Sequence, residues 1–158
     1  PQKGCVGVKR LFQYNFHLQF WSAYAPCSSQ HLDAVQLTLE QIDLIRRLVL
    51  LYPQHMALVT TADGIEESHK KGKLASLIGI EGGHSIGTSL AVLRMFYALG
   101  ARYLTLTHTC NIPWAGKYHD NHAYFFLVIV FGEVEILKGV QSRFFQILIL
   151  KMSLNYFL

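Results

Sequence analysis

The chain has 158 residues, 51% of them apolar and only 15% charged, with a net charge of +4. This length suits one ordinary core, so a single domain or part of a larger one is expected, while the charged share falls short of the roughly 25% usual in globular domains. Lys and Arg are scattered, with only His69-Lys70-Lys71 and Arg46-Arg47 approaching a patch, which argues against a nucleic-acid-binding stripe and a nucleic-acid partner.

The chain opens on Pro1 without a charged-then-apolar signal segment, and so reads as a fragment. Residues 1–15 show little periodicity. Residues 16–24 alternate loosely, and Phe20-Trp21-Ser22-Ala23-Tyr24 reads as a strand ending at Ala25-Pro26-Cys27. After Ser28-Ser29, apolar Leu32, Val35, Leu39, Ile42, Ile45 and Val49 recur at spacings of three and four, the pattern of a long amphipathic helix stopped by Pro53. A shorter helix is expected after Thr61, with Ile65 inward, Glu66, Glu67, Lys70 and Lys71 outward, and Gly72 as its stop.

Residues 74–80 are nearly all apolar and bounded by Gly72-Lys73 and Gly82-Gly83, as expected of a strand covered on both faces. This run ends in Glu81-Gly82-Gly83-His84. Residues 88–100 then read as a helix, because Thr88 or Ser89 can accept from its first free amides and Gly100 can take a left-handed stop. A second strand over 102–107 ends in His108, 27 residues after Glu81. Strand, helix and strand together span about 35 residues, the size of one βαβ unit. The order is strand, helix, helix, strand, helix, strand, which points to a parallel α/β sheet or a piece of a barrel.

In such a unit both strands deliver their C-terminal ends to one edge of the sheet, where α/β proteins place their chemistry. If the strands are neighbours, Glu81 and His108 start from backbones roughly 5 Å apart, within reach of a common metal ion or substrate. The glycines after Glu81 allow a sharp turn and close approach of a ligand. A carboxylate that is partly dehydrated there is well satisfied by a cation. The plainer alternative is an acid that serves as a loop residue or helix cap. Cys27 and Cys110 follow two of the predicted strands and lie on the same rim, so they could be bridged or stay as two thiols; Cys5 has no evident partner.

Beyond about Gly116 the character changes. Residues 123–131 are nine apolar residues in a row, too few to cross a bilayer, which takes about 20. Residues 144–150 are aromatic and aliphatic with no charge before Lys151, an aggregation-prone composition that resembles a read-through or alternatively spliced tail. His119-Asp120-Asn121-His122 reads as a polar loop in preference to a surface metal site.

Four strings carry a family resemblance: Gln19-Phe20-Trp21-Ser22, Thr38-Leu39-Glu40-Gln41-Ile42-Asp43, Leu77-Ile78-Gly79-Ile80-Glu81-Gly82-Gly83-His84-Ser85, and Arg102-Tyr103-Leu104-Thr105-Leu106-Thr107-His108-Thr109-Cys110-Asn111. In order and spacing they resemble the membrane (renal) dipeptidase family of zinc peptidases, from about Gln19 to Trp114. The resemblance implies an α/β fold, a partial (β/α)8 TIM-type barrel covering roughly strands 2 to 4, with a divergent C-terminal tail. Residues 1–18 would be an N-terminal segment, 19–115 the barrel part and 116–158 the tail. It further implies two zinc ions at the C-terminal rim bridged by Glu81, and His108 on the substrate and the developing tetrahedral centre. His84 is a further ligand candidate whose alternative role is to brace the loop. The family's disulfide would fall on Cys27 and Cys110, implying an oxidising, extracellular compartment. Dipeptide substrates, a homodimer, a lipid (GPI) anchor and the extracellular face of the plasma membrane, or secretion, are implied in the same way, although no anchor signal is evident.

The departures matter as much. The family takes its first metal ligands from a His-x-Asp pair on the first barrel strand, where alternation puts both side chains on one face. No such pair precedes Phe20. His31-Leu32-Asp33 sits where a helix should start, and positions two apart on a helix diverge. Two further His ligands are expected from strands later than residue 114. Two readings follow: a zinc dipeptidase hydrolysing the peptide bond of dipeptides, or a catalytically incomplete, truncated relative acting as a binding or dimerisation partner. An unrelated α/β binding module would require the string match to be accidental.

Overall fold

The computed structural model describes residues 17–107 and 110–114, with the backbone of 127–130 and 148–151. It is an α/β arrangement built on a six-stranded sheet. The strands are β1 (Leu18–Tyr24), β2 (Met56–Leu58), β3 (Leu74–Glu81), β4 (Ala101–Thr105), β5 (Leu127–Val130) and β6 (Leu148–Lys151), and the helices are α1 (Ala34–Leu51), α2 (Ala62–Lys70) and α3 (Leu90–Ala98).

β3 is the centre. β1 pairs with it in parallel from Ala75 to Glu81, β2 pairs in parallel with Leu74 to Ser76, and β4 pairs in parallel with Ile78 to Glu81. Because β1 takes one edge, β2 and β4 share the other, β2 at the start of β3 and β4 at its end. The expected strand-helix-strand unit is therefore present, with β3 and β4 adjacent and parallel. Three details differ from the sequence reading. β2 was not anticipated, since three residues are too few to show a period. β4 stops at Thr105, three residues before His108. β5, from the apolar tail, pairs antiparallel to β4, and β6 pairs parallel to β5, whereas strands of a (β/α)8 barrel all run parallel.

Helix α1 corrects the apolar stripe read from sequence. Its buried residues are Ala34, Thr38, Ile42, Ile45 and Val49, while Leu32 and Leu39 are 82% and 40% exposed. Thr38 can replace a leucine inside because its hydroxyl donates to the Ala34 carbonyl at 2.8 Å, leaving no unsatisfied polar atom. His31 lies in the turn before α1, with φ +66°, and Asp33 occupies the N-cap position.

The main core lies between the sheet and helices α1 and α3. Ile78, Ile80, Ala23 and Leu104 meet Ile42, Ile45, Leu93 and Phe96 there, and each fully buried large side chain contributes roughly 1.5–3 kcal/mol. The caps follow the sequence: Thr61 Oγ1 accepts from the Gly64 amide at 3.1 Å, and Ser89 Oγ accepts from the Val92 amide at 3.4 Å. Gly72 and Gly100 close α2 and α3 at φ +67° and +109°, conformations open to glycine at no steric cost. Arg46 of α1 donates to the last carbonyl region of α3, Leu99 O, at 2.9 Å. Arg102 donates from Nε to Thr60 O at 2.6 Å and stacks 4.6 Å from the Tyr97 ring centre, and its burial lowers the guanidinium pKa against a smaller opposing effect of Tyr97. Cys27 and Cys110 are disulfide-bonded across 83 residues of chain; closing a loop of that length restricts the unfolded chain by about 4–5 kcal/mol in the chain-entropy account.

Candidate metal-binding rim

Alternation along the three parallel strands decides what the rim presents. On β3, Ile78 and Ile80 enter the helix-covered core, while Ala75 and Leu77 join a second cluster with Leu18 and Phe20. Gly79 and Glu81 continue this second face. On β1 the same parity puts Phe20, Ser22 and Tyr24 there. The register sets two rows across the sheet: Ser22, Gly79 and Tyr103, then Tyr24, Glu81 and Thr105.

The two rows are chemically distinct. In the lower one, a Cβ on Gly79 would stand 2.1 Å from the Tyr103 ring, so the phenol ring lies directly over a position where any side chain would obstruct it. The ring reaches across β3 to Phe20 on β1, with centres 5.1 Å apart. In the upper row, Glu81 is half-buried at the end of β3 and its Oε2 accepts a hydrogen bond from the Ser22 hydroxyl. Thr105 Oγ1 accepts from the Gly82 amide at 2.7 Å, fixing the peptide that follows Glu81. Burial, and secondarily the nearby Glu81 charge, pushes the Tyr103 phenol up to about 12. Both effects penalise a second negative charge on this face.

The Gly82-Gly83 turn folds back tightly. Gly82 has φ +106°, and a Cβ there would meet the His84 ring at 2.4 Å; a Cβ on Gly83 would meet Leu106 O at 2.6 Å. Gly83 donates to that same carbonyl at 3.0 Å. His84 is consequently buried, with Nε2 2.8 Å from Ala25 O and 4.0 Å from Cys110 Sγ. Nε2 is therefore the protonated nitrogen, donating to the Ala25 carbonyl. His84 braces the β1–α1 junction beside the disulfide.

Of the residues singled out in the sequence, Glu81 stands on the open face of the rim, His84 is turned beneath it, and His108 lies outside the described residues, as do Cys5 and residues 119–122. Among the described residues, no three His, Cys, Asp or Glu side chains group closely enough to hold a metal ion. A carboxylate oxygen suits zinc, but a closed zinc site takes four ligands and an open catalytic one takes three plus water. The described residues thus fit a contribution of one ligand to a shared site. Ser22, Tyr103 and Thr105 were not singled out from sequence. A usable signal was present in Gly79, since a glycine inside an apolar strand marks a close approach from a neighbour.

Comparisons with known proteins bear on this rim. The chain is similar to Dipeptidase 3 of Mus musculus, 58% identical over 113 residues, covering 72% of this chain and 22% of that protein. Dipeptidase 3 of Homo sapiens is 59% identical over 112 residues, covering 71% and 22%. The chain therefore spans about a fifth of the length of these relatives. In fold it resembles the solved dipeptidase AC, a metallopeptidase of family M19, with a TM-score of 0.57 and 20% identity over 63% of this chain and 32% of that one. An amidohydrolase from Pseudomonas aeruginosa also gives a TM-score of 0.57, at 17% identity, over 71% and 34% of the two chains. The family model described as membrane dipeptidase, peptidase family M19, matches residues 2–126, and by that match the chain belongs to the membrane dipeptidase family.

Proposed function

We propose that this chain carries the metal-bridging part of a zinc-dependent dipeptidase, an enzyme that hydrolyses the peptide bond of dipeptides. The observation that supports it most is the placement of Glu81 at the C-terminal end of β3, on the face away from α1 and α3, within the segment that matches the family. In this reading residues 19–115 are part of a (β/α)8 barrel, roughly its second to fourth strands, flanked by residues 1–18 and a divergent tail at 116–158. Glu81 would be the residue shared by the two zinc ions, and His108 would contact the substrate. When bound, the zinc pair supplies Lewis acidity, polarising a carbonyl and lowering the pKa of water. The chain's own residues bind and orient: Glu81 offers carboxylate oxygens, Ser22 holds them, and the Tyr103 ring closes the floor with an un-ionised phenol.

The disulfide supports an oxidising, extracellular setting. Among the described residues no helix is long and apolar enough to cross a membrane. In this reading membrane attachment is by a lipid anchor and the assembly is a homodimer, both as the family resemblance implies.

A second reading is favoured by the ligand count among the described residues. Glu81 by itself cannot hold two zinc ions tightly; in this reading the 158-residue polypeptide is catalytically incomplete alone and acts as a binding or dimerisation partner. Metal analysis of the purified chain and of Glu81→Gln, with a dipeptide assay, tests both readings. The expected result is weak zinc binding that Glu81→Gln abolishes, and no turnover. Two tightly held zinc ions with turnover would overturn the incomplete reading. Zinc binding indifferent to Glu81→Gln would remove Glu81 from the metal site.

A further inference from the structure

We infer that Ser22 is a positioning residue whose hydroxyl holds the Glu81 carboxylate in its rim-facing orientation before any metal arrives. Its value to chemistry rests on the reading of Glu81 as a metal ligand; the positioning itself does not. A glutamate at the end of a strand has three side-chain torsions, and ordering it costs on the order of 1.5–2 kcal/mol of rotamer freedom. Three neighbours restrict it here. The Ser22 hydroxyl donates to Oε2 from the side, across the β1–β3 pairing. The Tyr103 ring fills the space over Gly79, so the carboxylate cannot fold down along the face. Thr105 accepts from the Gly82 amide and fixes the backbone behind Glu81.

Only Ser22 contributes a proton to the acid itself in this set. A hydroxyl has one proton to give, and Ser22 directs it at Oε2 of Glu81. Residues that orient a ligand in this way are typically worth 10–100-fold in metal affinity. The short serine stem is also suited to the place: Ser22 is exposed and sits one row below Glu81.

The test compares the chain with Ser22→Ala and Ser22→Thr. Side-chain rotamers of Glu81 are read by NMR without metal, and zinc affinity is then measured by titration alongside Glu81→Gln. The expected result is one dominant Glu81 rotamer in the parent and in Ser22→Thr, and an averaged one in Ser22→Ala, with melting temperatures alike. Zinc affinity should fall about tenfold in Ser22→Ala and recover in Ser22→Thr. A single unchanged Glu81 rotamer in Ser22→Ala overturns the inference. Averaging in Ser22→Ala with zinc affinity blind to both Ser22→Ala and Glu81→Gln upholds the positioning and overturns the metal role of Glu81.

Discussion

Along one strand, β3, alternate residues meet opposite conditions. Ile78 and Ile80 are sealed beneath α1 and α3, at 0% exposure and against Phe96 and Ile42. Gly79 and Glu81, their direct neighbours, face the other way, toward a tyrosine ring, a serine hydroxyl and a threonine hydroxyl. The first face is held by apolar area. The second trades apolar area for directed contacts around one carboxylate. Stability should therefore be concentrated on the helix side, and chemistry on the other.

The sharpest way to break this division is Phe96→Ala. Phe96 is fully buried in α3, and truncating a buried phenylalanine costs about 3–5 kcal/mol through lost transfer energy and the cavity left behind. Denaturant unfolding should show that loss. Zinc binding in the fraction that remains folded should match the parent, because Phe96 packs on the opposite face of the sheet from Ser22, Glu81, Tyr103 and Thr105. Altered zinc affinity in the folded fraction would mean that the two faces are coupled through β3.

Gly79→Ala probes the other face at smaller cost. The added methyl would stand 2.1 Å from the Tyr103 ring, so the ring must leave its place over β3. Overpacking of this kind costs about 1–3 kcal/mol. The ring displacement should also release the Phe20–Tyr103 contact and free Glu81 to fold downward, so the Glu81 rotamer should average as in Ser22→Ala. Retention of the parent's Glu81 rotamer would show that the ring does not restrain the acid.

The helix side was the more legible of the two in the amino-acid sequence. Its stripes follow helical and strand periods, and Thr61, Ser89, Gly72 and Gly100 mark the ends of elements by backbone chemistry that is local in sequence. Even there, Leu32 and Leu39 were read as inward and are exposed: Leu32 falls in the turn before α1, and next to Leu39 Thr38 satisfies its hydroxyl on its own helix and takes the inside place. The rim was legible at Glu81, whose position at a strand end before two glycines is a local signal. Ser22, Tyr103 and Thr105 were not, since their roles depend on the register between β1, β3 and β4, including the irregularity at Ile78/Gly79. No local pattern carries that register.

Alkaline pH separates the faces with the least disturbance. The Tyr103 phenol is pushed up to about 12, first by burial and then by Glu81, from a value near 10 in an unfolded chain. The folded form thus holds its proton where the unfolded form has lost it. Below about pH 10 both states are protonated, and the contribution to stability is fully present. Between about pH 10 and 12 the unfolded state is favoured by ionising first, and stability falls as pH rises through the window. Tyr103→Phe removes the ionisable group while keeping the ring that covers Gly79, so its stability should decline less than the parent's across this range. Unfolding curves for both proteins at several pH values measure the difference. Equal declines would show that the phenol ionises as freely folded as unfolded, and that the face around Glu81 is wetter and less protected than its geometry indicates.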